Sequence, residues 1–355
     1  EQRMAEDLAQ FHGKYDDATQ NTINKDQSSR SKAFINLTRY KTNAAEAQLI
    51  DLLFPNDDKN WGVSPTPNPE ISGDLDNKTP VQIGDKQYKD ENGEVILISD
   101  LAVEQIEMVK KACEAMEREI ADQLIETDYN KKSRRAIHDA VTVGTGILKG
   151  ATVTEKSKVT YQRHRNSKSF ELMAVSEFKP GVSVVRPWDF FPDMSATDVE
   201  DCEYTFERSY MNRKQVRNLV NMGYFPDQVA RLLKMDGRQT QHVSSHADDI
   251  RRLSGVREQI DDKRYEVWEY HGNLPKDVLF ELGKISEEEF EDPLVEFFGV
   301  AIFCGAIVLQ MRMSLLDIPD TSVYHVFNWE VDEASLYGFG VPRMSRESQR
   351  HINSI

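Results

Sequence analysis

Between Ser99 and Val153 the apolar positions change period. Val103, Ile106, Val109, Cys113, Met116, Ile120 and Leu124 recur at steps of three and four, which draws one stripe down a helix of about seven turns. Ser99 and Asp100 can cap its first amides, and Asp128 with Asn130 interrupts the period before Lys131 to Val143 resumes it through Ile137, Ala140 and Val141. Gly144 and Gly146 stop the second helix, and Ile147, Leu148, Ala151 and Val153 begin a sheet. The stretch predicts two antiparallel helices feeding a β region, the organising piece of an α+β fold.

The rest of the chain alternates the same two periods. Met4, Leu8, Phe11 and Tyr15 predict a short helix. Asn43 to Glu46 reads as a capping box for a helix that turns Ala45, Leu49, Leu52 and Leu53 inward and ends at Pro55. A polar, serine-rich join separates the two, and a loop with Trp61 as its one large apolar anchor follows to Pro80. Val81 to Ile83 and Val95 to Ile98 can pair around a turn at Asp90 to Gly93. Lys158 to Arg163, Ser169 to Val175 and Val182 to Val185 read as strands of a meander. Arg186 to Asp193 sets aromatics between two prolines and predicts a buried corner. Asn212 with Gln215 caps a helix whose inner face is Val216, Leu219 and Val220, Gly223 ends it, and Pro226 opens another through Leu232 and Leu233. In a highly charged stretch, Ile250, Leu253, Val256 and Ile260 mark an exposed or assembly-facing helix. Arg264 to His271 reads as a strand and Lys284 to Glu296 as an acidic connector. Phe297 to Phe303 and Ile307 to Met311 form a hairpin around Cys304 and Gly305, and these pieces make a small separate β unit. Val323 to Phe327 is a further strand, Leu336 to Gly340 a glycine-hinged turn, and Pro342 starts a helix that the end of the sequence cuts, which implies a longer parent protein.

Length and charge narrow the function. A chain of 355 residues exceeds what one core usually serves, so two or more subdomains are expected. No apolar run reaches the eighteen or so residues a membrane-spanning helix needs. A net charge of -16 argues against a clamp on phosphates, which needs a surplus of lysine and arginine. It leaves room for a conduit through which DNA slides, because acidic walls do not hold the duplex. Cys113, Cys202 and Cys304 show no disulfide or zinc spacing and read as reduced structural residues.

Catalytic patterns fail on order or spacing. Gly144 to Gly150 resembles a phosphate-binding loop, but a helix leads into the glycines and a strand leaves them, the reverse of what brings helix amides to a phosphate. Of the scattered histidines only His242 and His246 lie four apart, with no carboxylate at motif spacing. The doublets Asp57-Asp58, Asp248-Asp249 and Asp261-Asp262 could hold magnesium, and Asp193 after Pro192 resembles the opening of a nuclease signature, yet no acidic-x-lysine strand follows it. No serine or cysteine sits in a nucleophile elbow. The residues predict no enzyme, cofactor or metal site.

Several of these pieces together resemble one family. They are Lys131 to Lys149, the Val184 to Asp193 corner, the strand Tyr204 to Tyr210 with its capped helix, and Tyr337-Gly338-Phe339-Gly340-Val341-Pro342 leading to Gln349 and Asn353. Their order and spacing, over residues 33–355, are similar to the portal or head-to-tail connector proteins of tailed double-stranded DNA bacteriophages, the short-tailed ones in particular.

That resemblance implies a ring, a dodecamer, at one capsid vertex of the virion, assembled in the host bacterial cytoplasm. Double-stranded DNA would pass through it without sequence specificity during packaging and ejection. It implies docking to the terminase large subunit and later to a tail adaptor or head-completion protein, contact with major capsid and scaffolding proteins, and no membrane. On the family's plan, 1–32 is an N-terminal helix and linker, 33–245 a helix-rich wing with mixed sheet, and 246–263 the approach to a first stem helix. Residues 264–313 are a small α/β clip, 314–340 the return, and 341–355 the start of a second stem helix. Arg343, Arg346 and Arg350 step along one helix face and are expected either to face the channel or a neighbouring subunit's carboxylates, or to lie on a solvated face where Glu347 pairs with Arg343. Trp188, Phe190 and Phe191 are expected as core or subunit-contact aromatics, since only Arg186 lies beside them as a base-stacking cation would. The competing readings are a metal-dependent DNA-processing enzyme and another capsid or tail-adaptor component.

Overall fold

The computed structural model describes residues 1–15, 21, 34–55, 61–66, 75, 77–83, 86–87, 95–163, 170–241, 250, 252–253, 263–313 and 323–354. It divides into two compact units, residues 1–52 with 131–355, and residues 53–130. Both helix and sheet are present in a mixed α+β arrangement. No helix among the described residues is long and apolar enough to cross a membrane.

Helix α1 (Gln2–Phe11) buries Met4 and Phe11 of the expected stripe, leaves Leu8 half-buried and ends before Tyr15, and also buries Asp7, Ala9 and Gln10. Helix α2 (Leu37–Leu53) begins six residues before the Asn43 box. Two N-termini compete here, and the Asn36 carboxamide oxygen wins by accepting from Arg39 N at 2.9 Å. The earlier start turns Thr38 and Thr42 inward and leaves Leu52 and Leu53 exposed, against the expected inner face.

The second unit holds β1 (Gln82–Ile83) antiparallel to β2 (Lys86–Gln87), and the helix α3 (Ile98–Glu126). The pairing expected of 81–83 with 95–98 survives as a bridge between Pro80 and Leu97 and a bond from Val81 N to Ile96 O. The N-cap of α3 is Leu97, and the carboxylate of Asp100, in the first turn, accepts from the Leu97 amide at 3.1 Å, while Ser99 lies inside the helix. Cys113 and Ala102 are buried, whereas Val103, Val109 and Met116 of the same stripe are exposed.

Asp128, at φ 55, separates α3 from α4 (Tyr129–Val143), which buries Ile137, Ala140 and Val141 as expected. Gly144 then takes φ 101, and a Cβ there would lie 2.3 Å from the Gly338 carbonyl oxygen, so only glycine fits. The expected meander is instead two long antiparallel strands, β3 (Thr145–Arg163) and β4 (Phe170–Val185). Gly150 and Gly181, which look like turn punctuation, sit beside a register shift between Lys149 and Thr152, where the chain bulges without turning.

A 3-10 turn at Pro187–Asp189 makes the corner and leads into β5 (Phe190–Pro192). With β6 (Tyr204–Met211), β7 (Tyr265–Asn273), β8 (Phe298–Cys304) and β9 (Ile307–Met313) it forms one antiparallel sheet in sequence order. Pro192 is tolerated because β5 is the edge strand. The 264–313 segment is therefore not the separate β unit expected. Strand β7 pairs with β6 from Tyr265↔Met211 to Gly272↔Tyr204, because both alternate toward one shared core.

The Asn212–Gln215 capping box forms as expected and opens α5 (Arg213–Asn218), with α6 (Pro226–Leu233) after Gly223 at φ 82. Val216, Leu219, Val229 and Leu232 from this pair pack on Tyr265, Val267, Val300, Ile302 and Leu309 of the sheet; Val220 stays exposed. A second cluster gathers Leu274, Leu279, Ile285, Ala301 and Met311 around α7 (Lys276–Glu281) and α8 (Glu287–Glu291), two short helices within and before the expected connector.

Strand β10 (Tyr324–Asn328) pairs with the first five residues of β3. The expected hinge at Leu336 to Gly340 is strand β12 (Ser335–Phe339), antiparallel to β11 (Glu330–Asp332). Helix α9 (Val341–Met344) carries Pro342 in its first turn, where no amide is needed, and α10 (Arg346–Ser354) follows after Ser345. The exposed helix expected from Ile250 to Ile260 and the join at 16–33 lie mostly outside the described residues.

Candidate functional site

Glu207 on β6 and Glu269 on β7 are direct cross-strand partners, an arrangement that by itself repels. Lys149, from β3 of the other sheet, enters between them, its Nζ 2.7 Å from Glu207 Oε2 and 2.6 Å from Glu269 Oε2. Tyr324 Oη donates to the same Glu207 oxygen at 2.8 Å, and His271 Nε2 lies 2.9 Å from Glu269 Oε1. Burial works to raise the Glu269 carboxyl, but the bond from His271 and the Lys149 charge outweigh it and hold it at about 2. Burial, with both glutamates beside it, pushes the Tyr324 phenol far up. Lys149, His271 and Tyr324 are each less than a tenth exposed. The chemistry of this node is mutual neutralisation; it fastens the two sheets together.

The alternation of β5 separates the two expected phenylalanines. Phe190 is 1% exposed and meets Tyr324 at a ring distance of 5.0 Å, on the side of the ionic node. Phe191 points to the opposite face of the sheet, against Trp268 at 5.3 Å, in an aromatic row with Phe206, Tyr270 and Phe303. Trp188, on the 3-10 turn, is half-buried with the Arg186 guanidinium 5.3 Å from its ring. Arg186 also pairs with Asp139 of α4, whose carboxyl is raised by burial against the pull of that arginine.

Arg208 holds this corner. Its Nε donates to Asp189 Oδ1 at 2.9 Å, its Nη2 to the Trp188 carbonyl at 2.9 Å, and its guanidinium lies 5.2 Å from the Phe191 ring. An open groove of about 540 Å³ runs along the aromatic side, lined among others by Met4, Trp188, Phe191, Tyr204 and Phe206. Tyr337 donates to the Phe190 carbonyl and so ties β12 to the corner.

The terminal arginines find their partners within the chain. Arg346 Nη2 donates to Glu6 Oε2 at 2.8 Å, and Arg343 Nε lies 3.2 Å from Asp7 Oδ1, both on α1. The Arg343–Asp7 contact is one of charge only, since neither atom is aligned for a hydrogen bond. Burial raises Asp7 to about 6 against the pull of Arg343 and Arg346. Glu347 pairs with Arg350 at 3.0 Å, in place of the expected Arg343, because Arg343 precedes the break at Ser345 and points to α1. Of the three, only Arg350 is exposed.

Other candidates disperse. Asp193 Oδ1 accepts from Ser195 N at 2.9 Å and Ser195 Oγ at 2.7 Å, which lower its carboxyl and commit it to its own turn. The acidic doublets and His242 with His246 lie outside the described residues. Among the described residues no three His, Cys, Asp or Glu side chains are placed to hold a metal. The three cysteines are buried, and burial pushes Cys202 and Cys304 to about 11, away from thiolate chemistry. No protein-family model matches this chain, and no curated protein matches its sequence.

Proposed function

We propose that this chain is one subunit of a phage portal, a ring at the capsid vertex through which double-stranded DNA is packaged and later ejected. The observation that carries the reading is convergence. The motifs that resemble portal proteins are far apart in sequence, yet they are bonded to one another: Tyr337 to the Phe190 carbonyl, Gly338 N to Thr145 Oγ1, and Lys149 to Glu207. These bonds tie the helix–glycine–strand passage, the proline-flanked corner and the approach to the terminal helix into one body. The net charge of -16 supports a channel that leaves DNA free to slide. In this reading the ring is a dodecamer that docks the terminase large subunit, then a tail adaptor, and works without a cofactor or bond-breaking of its own.

Negative-stain microscopy of the purified protein tests it. Annular particles with a central hole are expected. Magnesium-dependent cleavage of plasmid DNA, lost on mutation of the chain's own carboxylates, would favour the DNA-processing enzyme instead.

A further inference from the structure

Thr205 on β6 and His271 on β7 are direct cross-strand partners, the next pair along the face that carries Glu207 and Glu269. Both are closed off from solvent, at 0% and 1% exposure. Two polar atoms are left over here. Thr205 Oγ1 and His271 Nδ1 are each buried without a hydrogen-bond partner in the protein, so they do not bond to each other. Buried polar groups in folded proteins are nearly always satisfied, by protein or by an ordered water.

The chemistry of the pair says what satisfies them. Glu269 is held ionised and only accepts, so the His271 Nε2 that lies 2.9 Å from it carries a proton and donates. Nδ1 is then the ring atom without an anchor, and the threonine hydroxyl can both give and take a bond. Cross-strand Cα atoms lie about 4.5–5.5 Å apart, and a group bonded to both side chains at about 2.8 Å bridges atoms up to about 5.5 Å apart. Pro192 and Val300 flank the pair along its row. The Tyr324 ring meets His271 edge-on at 5.1 Å, but its hydroxyl is committed to Glu207. Lys149 already pairs with Glu207 and Glu269, so no charge of the node is left for an ion to balance. The occupant is therefore small, neutral and able both to donate and to accept. We infer that one water molecule is buried between the two strands, bonded to Thr205 Oγ1 and to His271 Nδ1. It holds the imidazole at its second nitrogen while Glu269 holds the first, which makes Thr205 a positioning residue for the ionic node. The polar chain then runs unbroken from Thr205 through the water, His271, Glu269, Lys149 and Glu207 to Tyr324. The water stands whether or not the protein assembles into a ring.

Atomic-resolution crystallography and urea unfolding of the full chain test it, with Thr205→Val and Thr205→Ser as variants. Wild type should show one water peak about 2.7–3.2 Å from both atoms. Serine keeps the hydroxyl and should keep the peak; valine should lose it. Thr205→Val should also lower the folding equilibrium constant by about 10-fold, because Nδ1 then stays buried and unpaired. A dry site gives the opposite sign: a methyl in place of an unsatisfied hydroxyl would leave stability equal or higher, and that result overturns the proposal. So does a wild-type crystal structure with no peak there, or with Thr205 Oγ1 bonded directly to His271 Nδ1.

Discussion

The Lys149 ammonium sits 2.6 Å from a Glu269 carboxylate oxygen and joins strand β3 to the middle of the five-stranded sheet. Without it, two partly buried glutamates, 17% and 25% exposed, would face each other across β6 and β7. Lys149→Met should therefore destabilise the protein by about 3–5 kcal/mol in urea unfolding. Adding Glu207→Gln and Glu269→Gln to that variant should recover most of the loss, because the uncompensated charges are then gone.

Acid should undo the node from the other side. Glu269 is held at about 2, below its ordinary 4.5, so its contribution to stability is complete above that ordinary value and is lost as pH falls toward 2. A Glu269→Gln variant should show a shallower loss of stability between pH 4.5 and 2, measured by chemical unfolding at each pH.

Asp7 has the opposite sign. Its carboxyl is raised from 3.8 to about 6, so the folded protein holds the proton more tightly and its contribution is full below pH 3.8 and lost as pH rises to 6. The stability of wild type relative to Asp7→Asn should fall by about 3 kcal/mol across that window. A flat difference would show that Arg343 and Arg346 already neutralise the carboxylate.

The two phenylalanines of the corner should separate by an order of effect. Phe190→Ala empties a site 1% exposed beside Tyr324 and should cost about 3–5 kcal/mol. Phe191→Ala, half-buried beside Trp268, should cost about 1–2 kcal/mol.

Gly144→Ala should cost more than about 2 kcal/mol, since it forces φ 101 on alanine and drives a methyl into the Gly338 carbonyl. Gly223→Ala, also at positive φ but in open space, carries the backbone strain alone and should cost less in the same melting assay.

Period and punctuation made much of the fold legible. The helices at 98–126 and 129–143, the Asn212 box and the strands at 265–273, 298–304 and 307–313 follow from spacing and caps, whereas the strand at 204–211 is expected only from the resemblance. The failures share a cause in tertiary pairing. Gly150 and Gly181 punctuate the sequence as turns do, yet a partner strand absorbs them as a bulge. Strand β7 gives no local sign that its neighbour lies more than fifty residues upstream. The ionic node was half visible: Lys149 shares parity with buried Ile147, and Glu269 and His271 share it with buried Val267. Nothing local says that those inward charges meet. The partners of Arg343 and Arg346 were hidden for the same reason, lying some 340 positions away on α1.

The central claim concerns a closed assembly, and native mass spectrometry of the purified full chain addresses it most directly by counting copies. One dominant species of fixed stoichiometry, about twelve copies with no ladder of intermediates, is the result the account predicts. A monomer that persists at every concentration, or a continuous series of open oligomers, would contradict it.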